Sequence, residues 1–159
     1  MNAPTSGSNI KQSPVVEIAR RICGDKGLRL TELRAAALEE VAEYGPISAY
    51  QLLARLSTRL GRRVDPPTVY RALAFLMNAD LINRLETINA YVVRRRPERM
   101  RASVILLCKE CESMVELEDP AVLGLIEGDA AALGFRLGGP LIECSGTCKR
   151  CATNKDGTP

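Results

Sequence analysis

The stretch SAYQLLARLSTRLGRRVDPPTVYRALAFLMN, residues 48–78, followed by LINRLETINAYVVRR, residues 81–95, decides the fold. Ser48-Ala-Tyr-Gln51 is a capping box: the Ser48 hydroxyl and the Gln51 side chain can satisfy each other's free backbone amides and so open a helix. Leu52, Leu56 and Leu60 recur on one face of that helix, and Gly61 stops it. A second helix opens at Asp65-Pro66-Pro67, with an acidic residue at the N-cap and proline at the first helical position, where no amide donor is needed. Val69, Ala72, Leu73 and Leu76 face inward there, leaving Thr68, Arg71, Ala74 and Asn78 on another face. Leu81–Glu86 and Ala90–Arg95 then read as strands joined by the turn Thr87-Ile-Asn89.

Working outward, Leu30, Leu33, Ala37, Val41 and Tyr44 fall at helical spacing over 31–44, ended by Gly45-Pro46, and a further helix fits 14–24. Residues 1–13 have no periodicity and read as a flexible tail. Helices followed by a hairpin describe a winged helix-turn-helix over 14–95. A basic hinge at 96–101 leads to a second, small α/β domain over 102–159. Its expected order is a strand over 101–108, a strand over 113–118, a helix over 120–133, a strand over 134–144 and a short cysteine-bearing tail. The fold class is therefore mixed α/β, of the α+β kind.

Charge divides the 159 residues unevenly. Residues 1–96 carry 15 basic and 9 acidic side chains, whereas 97–159 carry 7 and 10, within a net charge of only +3. A basic front half suits a polyanion partner. Histidine is absent, which excludes Ser-His-Asp catalysis, HExxH zinc peptidases, histidine-ligated haem and imidazole pH switches. No catalysis is inferred. The N-terminal MNAPTSGSNIKQSP has no hydrophobic signal core, and the longest strongly apolar run, Val104–Cys108, is far short of a membrane span, so a cytoplasmic location is expected.

Four of the six cysteines form two pairs, Cys108-Lys-Glu-Cys111 and Cys148-Lys-Arg-Cys151, separated by 36 residues. In a reducing compartment this favours metal thiolates over disulfides. Four soft thiolates suit tetrahedral Zn2+ with no position left for water, so one structural zinc per chain is expected, with a redox dithiol as the rival reading. Such a site contributes on the order of 10 kcal/mol to folding. Cys144, four residues before Cys148, can compete as a ligand; Cys23 and Cys144 otherwise read as buried apolar thiols.

The segments Ile47–Leu53, Pro66-Pro-Thr-Val-Tyr-Arg-Ala-Leu73 and Leu85–Val92, with Leu106–Cys111 and Glu143–Cys151, together resemble the ferric uptake regulator family, and most of all its zinc uptake regulator branch. The resemblance runs over residues 20–151. It implies a homodimeric repressor with an N-terminal winged helix and a C-terminal dimerisation domain, bound to pseudo-palindromic double-stranded DNA. It also implies that Tyr50 and Arg71 contact bases and that Thr68 and Tyr70 belong to the recognition-helix signature. On the residues alone, Arg71 lies where an arginine fork can reach guanine O6 and N7, or is a solvated surface arginine, and Tyr70 can instead pack on the preceding helix.

One part of the resemblance fails. Relatives hold a regulatory zinc through histidines, a cysteine and a glutamate, and the matching positions here are Asn83, Arg94, Arg101 and Glu116; only the glutamate remains. Two lost ligands are arginines within Arg94-Arg-Arg-Pro-Glu-Arg-Met-Arg101, five arginines in eight residues. A guanidinium paired with Glu116 can stand in for the missing cation, or the run is a solvated basic linker. The sequence thus predicts a DNA-binding regulator with a structural zinc and no sensory metal. The alternatives are an interaction protein that modulates a related regulator by heterodimerisation, and a regulator whose thiols sense oxidation.

Overall fold

A computed structural model describes residues 13–94, 103–117, 119–137 and 141–155. Residues 1–12 of the tail expected over 1–13, Arg95 and the hinge at 96–101, with Arg101, lie outside them. The chain divides into two compact units: Met1–Arg84 with Asn89–Arg95, and Leu85–Ile88 with Arg96–Pro159.

The first unit is helical with a small wing. Helices α1 (Pro14–Asp25), α2 (Glu32–Tyr44), α3 (Ala49–Arg59) and α4 (Pro66–Asn78) precede strands β1 (Ile82–Leu85) and β2 (Ala90–Val93). The capping box forms as expected: Gln51 N–H donates to Ser48 Oγ at 3.3 Å, and Ser48 N–H donates to Gln51 Oε1 at 2.9 Å. Asp65 takes the N-cap position of α4, but its side chain caps nothing; Pro66 begins the helix. Leu52 and Leu56 of α3 meet Val69, Ala72, Leu73 and Leu76 of α4 in one core with Leu38 and Val41 of α2. Cys23 is buried in that core, and burial pushes its thiol up despite Lys26 and Arg34 nearby.

Two details hold this unit's register. Ile47 and Tyr91 exchange backbone hydrogen bonds of 3.0 and 2.8 Å, so the segment before α3 joins the wing. Gly45 makes that approach possible, because a Cβ there would stand 2.6 Å from Val41 O and 3.2 Å from Tyr91 O, both backbone atoms. Tyr44, expected on the inner face of α2, is 43% exposed. Arg55 lies over its ring at 3.0 Å while donating to the buried Glu40 at 2.6 Å, so the ring is tied to a buried ion pair instead of the core. Arg59 also reaches Glu40, at 3.1 Å, and pairs with Glu39.

The second unit holds a three-stranded sheet in the order β4-β3-β5, formed by β3 (Ser103–Cys108), β4 (Met114–Leu117) and β5 (Leu141–Gly146), with helices α5 (Pro120–Ala132) and α6 (Lys149–Lys155). β3 pairs antiparallel with β4 and parallel with β5, the latter joined through α5. Leu123 of α5 packs on Val104 and Ile142. Residues 134–137 of the strand expected over 134–144 are not strand, and β5 is described from Leu141: Gly134, at φ 78°, closes α5, and Phe135 N–H donates to Ala130 O at 2.8 Å, so those residues terminate a helix. The cysteine-bearing tail is helical as α6. Cys144, expected buried, is exposed, because it stands opposite Leu106 on a part of the sheet face that α5 does not cover.

Candidate nucleic-acid interface and metal centre

The exposed side of the α3–α4 pair carries the residues singled out for DNA. Tyr50, in the first turn of α3, is 81% exposed; Tyr70 of α4 is 58% exposed. The two line a shallow groove with Leu53, Pro66 and Val69, so Tyr70 partly meets the preceding helix and still presents its ring. Arg71 is exposed, and its Nε donates to Pro67 O at 3.2 Å in the first turn of the same helix. Thr68 is half-buried beside them. The structure thus brings Tyr50 and Tyr70 to one groove, with Arg71 exposed at the next position of α4, on helices held by an apolar core.

The metal centre is built by the ends of elements. Cys108 is the last residue of β3; Glu112, at φ 55°, turns the chain so that Cys108 N–H donates to Ser113 O at 2.9 Å. Cys148 immediately precedes α6 and Cys151 lies in its first turn. The four Sγ atoms of Cys108, Cys111, Cys148 and Cys151 all fall within 4.8 Å of one another. Cys111 Sγ and Cys148 Sγ are 3.8 Å apart. Four sulfurs about 2.3 Å from one ion have edges of about 3.8 Å, so this donor set fits tetrahedral zinc.

Electrostatics show what the sulfurs need. The Ser113 hydroxyl, 3.1 Å away, together with the Ser113 amide, Arg150 and Cys151, draws the Cys111 thiol down to about 5. Amides of Cys148, Cys111 and Glu110 lower that of Cys108. Hydrogen bonds of the Cys151 thiol to Cys111 and Cys148 hold its proton and push it up to about 12, with burial adding to the effect. A divalent cation at the centre would displace that proton and compensate the charge of the clustered thiolates. Cys144 is not one of the four clustered sulfurs, but lines a cavity of about 370 Å³ with Cys108 and Cys148.

The residues that the resemblance matches to the sensory ligands are placed separately within their own units. Asn83 is half-buried on β1, and Glu116 is half-buried on β4 opposite Ile105. Arg94, just after β2, is 11% exposed and its Nη1 donates to Asp80 Oδ1 at 3.3 Å.

The profile of the ferric uptake regulator family matches residues 25–144. The chain belongs to that family. Its members are DNA-binding transcriptional regulators, not enzymes. The zinc uptake regulation protein of Escherichia coli (strain K12) is 33% identical over 135 residues, covering 84% of this chain and 78% of that protein. A solved structure of a zinc uptake regulator complexed with zinc and DNA superposes with a TM-score of 0.81 at 30% identity, covering 92% of this chain and 98% of that one. The holo XcZur crystal structure gives a TM-score of 0.73 at 39% identity, covering 87% of this chain and 96% of that one. Among the described residues no helix is long and apolar enough to cross a membrane.

Two groups have no counterpart in the sequence reading. Glu143 of β5 accepts from the amides of Glu86 (2.8 Å) and Thr87 (3.1 Å), within the second unit. Burial raises its carboxyl and those hydrogen bonds outweigh it, leaving the group below its usual range. The other is Asp80. An aspartate two residues past the last helical residue is a readable hint, because Asp tolerates the left-handed backbone found there.

Proposed function

We propose that this chain is a homodimeric, operator-binding transcriptional repressor that carries one structural zinc per subunit and has lost the sensory metal site. In this reading Tyr50 and Arg71 contact bases, Thr68 and Tyr70 shape the recognition surface, and Cys108, Cys111, Cys148 and Cys151 hold the zinc. DNA binding is supported by the similarity to a zinc uptake regulator complexed with zinc and DNA and by the exposure of Tyr50, Tyr70 and Arg71. Dimerisation is supported by apolar side chains that the single chain leaves open on α5 and β4: Val122, Leu125, Ile126, Val115 and Leu117.

The observation that carries the loss of metal sensing is Arg94. At a position that the resemblance matches to a ligand of the relatives' regulatory zinc stands a largely buried arginine side chain, already paired with Asp80. A guanidinium cannot ligate a cation, and it repels one. The test uses the full-length protein with its structural zinc retained. An operator is selected from random duplexes, and affinity is then measured with added zinc and with a mild chelator. Equal affinity under both conditions is expected; a zinc-dependent gain overturns the reading. A homodimer with no sequence preference would instead favour an interaction protein acting through a related regulator.

A further inference from the structure

Three elements of the first unit converge on one carboxylate at the end of α4. Asp80 follows the C-cap Ala79 and sits in the left-handed region, at φ 61°. Its Oδ2 accepts from Lys26 Nζ at 2.6 Å, and its Oδ1 accepts from Arg94 Nη1 at 3.3 Å. Lys26 Nζ also donates to Ala79 O at 3.0 Å, placing a cation on the free carbonyl end of α4, where the helix dipole favours one. Lys26 is the C-cap of α1. Arg94 directly follows β2, and its amide donates to Leu81 O at 3.0 Å. One side chain therefore ties the end of α1, the end of α4 and the end of the wing.

We propose that Asp80, with Lys26 and Arg94, is a positioning cluster for operator recognition: it fixes the helix bearing Tyr70 and Arg71 against the wing by a protein-made charge arrangement. This rests on the reading of the chain as a DNA-binding regulator without a sensory metal. The members differ in exposure in a way that fits the role. Lys26 and Asp80 are 39% and 41% exposed, so their pair is screened and weak by itself. Arg94 is 11% exposed and therefore depends on its partners. What the cluster supplies is geometry at the join of three elements. A lone surface pair offers no such constraint.

The sign of the charge makes this testable. Asp80→Asn keeps the volume and the left-handed backbone, which asparagine also tolerates, and removes only the negative charge. Taking a negative charge off a DNA-binding surface strengthens binding to any DNA by plain electrostatics. Positioning predicts the reverse on the operator: a loss of roughly fivefold or more, with random duplex of equal length bound as before or slightly better. Arg94→Gln should lose the same factor on the operator alone, and the double variant no more than either single one, because both break one arrangement.

The measurement is operator and random-duplex affinity of the full, zinc-loaded protein across a salt series. Equal tightening on both DNAs by Asp80→Asn would reduce the cluster to surface charge and overturn the proposal. An equal loss on both DNAs by Arg94→Gln, with a salt slope lowered by about one, would make Arg94 a phosphate contact and overturn it too. If Asp80→Asn does not fold, Lys26→Gln takes its place: loss confined to the operator supports positioning, and equal loss on both DNAs refutes it. The unsubstituted protein is titrated with zinc alongside. A zinc-dependent operator affinity there overturns the metal-independent reading, whatever the Asp80 variant shows.

Discussion

At the scale of single residues, Arg71 shows how little separates a reading group from a solvated one. Its backbone is held by α4, whose inner face is buried, and its Nε is occupied by Pro67 O in the same helix. The Nη atoms project from an exposed side chain and can form the fork that pairs with guanine. Arg71→Ala should cost about 1–3 kcal/mol of discrimination at one base pair of each half-site while leaving random-DNA affinity nearly unchanged. Binding to operator variants substituted one base pair at a time checks this; a uniform loss on all DNA would make Arg71 a phosphate contact. Local signals made this residue legible, since Pro66-Pro67 fixes the start of α4 and the apolar spacing fixes its inner face. The pairings of Glu143 with Glu86 and of Asp80 with Lys26 were not legible, because those partners lie 57 and 54 residues away in sequence. No pattern along the chain records such meetings.

Elements show the same division between local and distant causes. The capping box places the start of α3 from four residues, and the structure reproduces it. The start of β5 is different: residues 133–137 alternate like a strand, yet the left-handed Gly134 folds them back onto the end of α5. Gly45 is an element-level constraint of the same distant kind. Alanine there would drive a Cβ into Val41 O and Tyr91 O, both backbone atoms that move only with α2 and the wing. Gly45→Ala should destabilise the first unit by about 1–3 kcal/mol, read as a lower denaturant midpoint. A neutral substitution would show that the Ile47–Tyr91 bridge is not needed to seat α3. In the second unit the tetrathiolate joins the end of β3 to α6. Cys108→Ser or Cys148→Ser should therefore lose zinc and dimer together, by metal analysis and sedimentation, because those ends are no longer held at one ion. Stoichiometric zinc in both variants would sink the four-cysteine assignment.

For the molecule as a whole, the question is how a regulator without a sensory metal, as proposed above, would hold its DNA-competent arrangement. On the reading proposed above, Arg94 has replaced a metal-dependent contact with a permanent one through Asp80. A ligand shifts an equilibrium only by its differential affinity for the two states, so a chain that already holds the competent arrangement leaves zinc nothing to select. Reversal of that history is a direct test. Asn83→His, Arg94→Cys and Arg101→His together put donors back at the positions that the family resemblance matches to the sensory ligands, with Glu116 as the retained one. They also break the Asp80 pair, so the metal-free triple variant should bind the operator more weakly than the parent. Zinc should then recover the lost affinity, by about tenfold if the coupling has the usual size of allosteric effects, and the parent should ignore zinc in the same titration. Arg94→Cys alone should lose affinity without gaining a zinc response, since one thiolate with one carboxylate is too few ligands for a tight site. If the triple variant binds as tightly as the parent without zinc, Arg94 was not holding the competent arrangement and the permanence must come from elsewhere in the chain.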